Sequence, residues 1–182
     1  MTSTTTTFPG PAELIPTLRG TLFFLCCYTF LFMFQSFSKL YLYLKLKREK
    51  KTDDRFSFQS LKYYNTEHPL CLAGDRGFGN CLEQALCFLP TYWLYSLFIT
   101  TDYAFEIACI YGTTRVIYPF LWLWKGKFGS PVFLSTVPGY IVLMYMFWPL
   151  IQLTFLAARR KKLITDTFGE SFYETNFKHL WS

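Results

Sequence analysis

The chain has 182 residues, a net charge of +6 and only 16% charged residues, against 52% hydrophobic; its mean hydropathy is +0.20. Soluble domains carry about 25% charged residues, so this composition argues against a soluble globular domain and for a single membrane domain. The positive charge does not suggest nucleic-acid binding. It sits beside apolar segments, as Lys45, Lys47, Arg48, Lys50 and Lys51 and as Arg159, Arg160, Lys161 and Lys162, where it meets lipid headgroups and sets topology.

The residues from Met1 to Thr17 open with a low-complexity run, MTSTTTTFPG, and read as a disordered tail. No charge falls between Arg19 and Lys39, or between Lys127 and Arg159. Both gaps meet the roughly 18–20 residues that a bilayer-spanning helix needs. The first predicted span is Leu18 to Leu44, with Lys39 snorkelling to the interface. A loop from Lys45 to Asp75 follows. The second span covers Ala73 to Ile99, with Pro90 expected to bend it. The third covers Asp102 to Trp124, with Asp102 as its N-cap. The fourth covers Val132 to Ala158. Short connections then give an all-α, integral-membrane, up-down four-helix bundle over 18–158. Residues 159–182 form a basic and aromatic tail. Lys and Arg number nine on the side of the two loops after spans one and three, and six on the side of the termini. The two loops are therefore expected on the cytosolic side.

The six cysteines form no CxxC pair and have no metal-ligand spacing with His68 or His179, so neither a disulfide framework nor a metal site is expected. The chemistry gathers elsewhere. Arg76, Asn80 and Glu83 are four and three residues apart, which places them on one helical face. Polar groups at membrane depth are costly and point to function; a guanidinium, an amide and a carboxylate suit a small zwitterionic ligand. Tyr111, Arg115, Tyr118 and Trp122 share a face of the third span. Arg115 lies deep in an apolar run and needs a partner, for which Glu83 is the natural anion. Gln35 is best read as a helix–helix hydrogen bond.

The segment RGFGNCLEQALCFLPTYW, from Arg76 to Trp93, resembles the second helix of the MAPEG family, membrane-associated proteins in eicosanoid and glutathione metabolism. YGTTRVIY, from Tyr111 to Tyr118, is similar to the family's third helix. STVPGY, from Ser135 to Tyr140, is similar to the start of the fourth helix in its lipoxygenase-activating member. The resemblance implies a trimer in an organelle membrane, with the endoplasmic reticulum the expected one. It implies glutathione bound between protomers by Arg76, Asn80, Glu83, Arg115 and Tyr118, and a lipophilic electrophile arriving from the bilayer. Trp122 stands where the leukotriene-forming synthase has a tyrosine. The family's enzymes carry an arginine just past the third helix, where this chain reads WLWKGKFGSP. Lys125 and Lys127 are then the candidates for activating the sulfur. A thiol of pKa near 8.5 must be lowered by about two units, which takes about 2.7 kcal/mol of thiolate stabilisation. Lysine lacks the planar fork of arginine. Two functions stay foremost, a glutathione transferase or peroxidase and a non-enzymatic lipid-binding adaptor; a transporter or channel component ranks below them, since the sequence has no paired broken helices or repeat halves.

Overall fold

A computed structural model of the protein describes residues 9–49, 57–59, 61, 68–125 and 130–168, with the side chains of 125, 130, 157 and 160–168 outside that description. It contains four long helices, α1 (Ile15–Arg48), α2 (Pro69–Phe98), α3 (Ala104–Lys125) and α4 (Ser130–Phe168). The chain reverses in the turn at 99–103. The all-α four-helix bundle expected from the sequence is what is seen. α2 and α3 form its centre, and each touches all three other helices. α1 and α4 flank them from different sides and do not touch each other among the described residues.

Helix boundaries follow local chemistry. Pro16 lies in the first turn of α1, where a missing N–H costs nothing. His68 caps α2 by accepting the Leu70 amide on Nδ1 at 3.2 Å, with Pro69 next in line. α2 therefore starts at Pro69, four residues earlier than the expected Ala73. It runs on through Pro90 to Phe98. α3 begins at Ala104, so its cap position is Tyr103 rather than Asp102. The Asp102 amide instead bonds Thr100 Oγ1 at 3.1 Å. α4 runs past Ala158 to Phe168, so the first ten residues of the expected tail are helical.

The core is aromatic where three helices converge. Phe24 of α1, Phe88 of α2 and Tyr111 of α3 are all buried. The Phe88 and Tyr111 rings stack at 3.9 Å and 2°, and Phe24 leans on Phe88 at 4.9 Å. Such pairs add about 0.5–1.5 kcal/mol beyond area burial. Small residues let the backbones close in. A Cβ on Gly74 would meet Ser38 Oγ at 2.9 Å, and one on Gly77 would meet Pro119 Cβ at 3.0 Å.

Two stretches, Ile15–Arg48 and Pro131–Leu156, are long and apolar enough to cross a membrane. Only 28% and 22% of their most apolar windows are buried inside the chain. Leu22, Phe37, Leu134, Ile141, Met144 and Trp148 are all exposed by 60% or more. Apolar faces of this kind mark contact with a membrane or with another protein chain.

Lys39 departs from expectation. It does not snorkel outward but is buried. Its Nζ lies 2.8 Å from Asp75 Oδ1, and Gln35 Nε2 donates to the same oxygen at 2.7 Å. The reason is the packing of α2 on α1, which sets the Asp75 carboxylate against Lys39 where Gly74 permits close approach.

Candidate functional site

Arg115 is the largest fully buried side chain among the described residues, at 1% exposure. It sits midway along α3, and α2 and α4 enclose it. Its Nη1 donates to Gln84 Oε1 at 2.7 Å and to Asn80 Oδ1 at 2.9 Å. Nη2 donates to the Ser135 carbonyl at 3.1 Å, and Nε donates to Thr114 Oγ1 at 3.3 Å. Gln84 Oε1 also accepts the Tyr111 hydroxyl at 3.1 Å. The Tyr111 ring lies 5.1 Å from the guanidinium carbon, within cation–π range.

Each of these contacts has a helical cause. Asn80 and Gln84 are one turn apart on α2, so both carbonyl oxygens face the same guanidinium edge. Tyr111 and Arg115 hold the same relation on α3. The α4 contact depends on Gly139, where an added Cβ would run into Arg115 Nη2. Ser135 lies one turn earlier and turns its carbonyl to the arginine. Its own hydroxyl donates to Val132 O at 3.0 Å.

The guanidinium has five N–H donors, and these bonds occupy four of them, all on neutral acceptors. Glu83, expected as the anionic partner, is exposed on α2 and makes no ion pair with Arg115. Gln84, the next residue, takes that place. Helical phase explains the exchange: Gln84 is a full turn from Asn80 and faces α3, whereas Glu83 is rotated away by about 100°. Gln84, Thr114, Ser135 and Gly139 were missed as members of this centre. A glutamine one turn past Asn80 was the only signal available for them.

The other expected ligand residues divide into two groups. Asn80 and Arg115 meet directly. Arg76 and Glu83 lie two turns apart on the outward side of α2, both exposed, and neither hydrogen-bonds another described residue. Tyr118 is buried with Ala73, Trp122 and Val132, and its ring stacks loosely on Trp122 at 6.4 Å. Lys125 ends α3, ten residues or about 15 Å of helix rise beyond Arg115, with its side chain outside the described residues. Lys127 lies outside them altogether.

Among the described residues, no group of three or more His, Cys, Asp or Glu stands together to hold a metal. The described cysteines are free thiols. What the arrangement provides is a rigid polar seam through α2, α3 and α4, with one guanidinium and one carboxylate left on the outer face of α2. Compared with family models, curated proteins and solved structures, the chain matches none of them.

Proposed function

We propose that the chain is an integral-membrane protein of MAPEG type. In this reading it assembles as a homotrimer in an organelle membrane, with the endoplasmic reticulum foremost, and binds glutathione between protomers. The observation that carries the proposal is the pairing of Arg76 and Glu83. They are exposed on one face of α2, two turns apart, and the Asn80–Arg115 bond beneath them fixes that face. A guanidinium can grip a ligand carboxylate in a bidentate manner. A carboxylate two turns away, about 10 Å along the axis, matches an extended zwitterion with an amine at its other end. The outward apolar faces of α1 and α4 support bilayer residence. A lipophilic electrophile would then reach the bound thiol from the membrane.

One observation favours a second reading, ligand or lipid binding without turnover. Arg115 is committed to Asn80, Gln84, Thr114 and the Ser135 carbonyl. It therefore has little donor capacity left for a thiolate. Sulfur activation would rest on Lys125 or Lys127, point charges without a fork.

The test uses purified protein in nanodiscs, with glutathione titration, the ultraviolet absorbance of the thiolate and conjugation of a model electrophile. Saturable binding lost in Arg76→Ala and Glu83→Gln supports the proposal, and the absence of binding overturns it. Binding with no thiolate and no conjugation selects the adaptor reading.

A further inference from the structure

We propose that the C-terminal end of α1 is a binding site for an anionic phospholipid, distinct from the α2 face described above. α1 has 34 residues and is therefore about 50 Å long, against a hydrocarbon thickness of about 30 Å. Its last turns must emerge at the headgroup level. Tyr41, Leu44, Lys45, Arg48 and Glu49 line an open hollow of about 580 Å³ there.

The first four of these residues fall within one stripe roughly 100° wide. Tyr41 and Leu44 are exposed at 60% and 55%, on the side nearer the bilayer centre. Lys45 and Arg48, both exposed, stand toward the helix end. The hollow thus has an apolar floor and a cationic rim, in the order that an acyl chain and a phosphate require. The Glu49 carboxylate at the edge is outnumbered by the two cations. Lys47 takes no part, because it turns to the side, 6.0 Å over the Tyr43 ring.

The neighbouring face of α1 is already filled. Leu61 is buried against Leu42 and Cys71, and Phe58 packs edge-on against Tyr43 at 5.6 Å. Phe58 and Leu61 thus lie on one side of this end, and the side chains of Tyr41, Leu44, Lys45 and Arg48 are exposed among the described residues. The apolar floor selects a lipid over free phosphate, and the paired cations select an anionic headgroup over a zwitterionic one.

This inference rests on the membrane placement proposed above but not on glutathione. It is tested with the full chain reconstituted into vesicles of phosphatidylcholine alone or with phosphatidic acid, followed by native mass spectrometry of retained lipid. Phosphatidic acid should be retained in preference to phosphatidylcholine. Lys45→Gln/Arg48→Gln should lower that preference about tenfold, while Lys47→Gln leaves it unchanged. Cations that only complement the helix C-terminus would shift thermal stability without shifting lipid preference, and that result overturns the site. Equal loss in Lys47→Gln, or displacement by millimolar inorganic phosphate, also overturns it. A chain extracted from both vesicle types by alkaline carbonate refutes the membrane placement instead, so the two failures are separable.

Discussion

Lys39 Nζ stands 2.8 Å from Asp75 Oδ1 across the seam of α1 and α2, with the two side chains 9% and 21% exposed. Gln35 Nε2 completes the arrangement at 2.7 Å from the same oxygen. The pair links the two helices near the end where α1 emerges from the bundle. Removing Lys39 takes the cation from a partly buried Asp75 carboxylate that keeps its bond from Gln35.

Lys39→Met is therefore expected to destabilise the protein by about 1–2 kcal/mol, between the costs of breaking an exposed and a fully buried pair. Lys39→Met/Asp75→Leu should recover most of that loss, because neither charge remains. Thermal unfolding in detergent of the wild type, both single variants and the double variant checks this as a cycle. Additive losses would show that the two side chains do not interact.

Gly139→Ala should cost about 1–3 kcal/mol through overpacking, since its Cβ runs into Arg115 Nη2. In the Arg115→Ala background the same change should be nearly free. A coupling near zero would mean that α4 does not press on the guanidinium. The four variants are compared by midpoint of thermal unfolding.

Arg115→Met takes the arginine donor from Asn80 Oδ1 and the Ser135 carbonyl, leaves Gln84 with the Tyr111 hydroxyl, and should cost on the order of 2–4 kcal/mol. Tyr111→Phe removes only the 3.1 Å bond to Gln84 and should cost about 1 kcal/mol. The ranking is the test: equal losses would contradict a centre organised around the arginine.

Arg76→Ala and Glu83→Gln should leave stability within about 0.5 kcal/mol, as exposed positions do. If these side chains grip glutathione, each should weaken binding by at least about tenfold, the equivalent of roughly 1.4 kcal/mol. Calorimetric titration and unfolding measured on the same samples separate the two effects. Unchanged affinity in both variants would remove this face of α2 from the binding proposal.

The sequence by itself determined that the chain is a bundle of four long apolar helices. Charge-free gaps, short connections and prolines near helix starts are local signals, and local backbone chemistry fixes helix existence. It also determined that Tyr111, Arg115, Tyr118 and Trp122 share one face, since four-residue spacing stacks side chains on any α-helix; all four are buried. Tertiary structure decided what those faces meet. A carboxylate at 83 and an amide at 84 are both plausible partners for a buried guanidinium on paper. The rotation of α2 against α3 gives the contact to Gln84 and leaves Glu83 outside. The same holds for Lys39, whose burial depends on how closely Gly74 lets α2 approach α1. Helix phase and packing distance are properties of pairs of helices, and no single helix's sequence carries them.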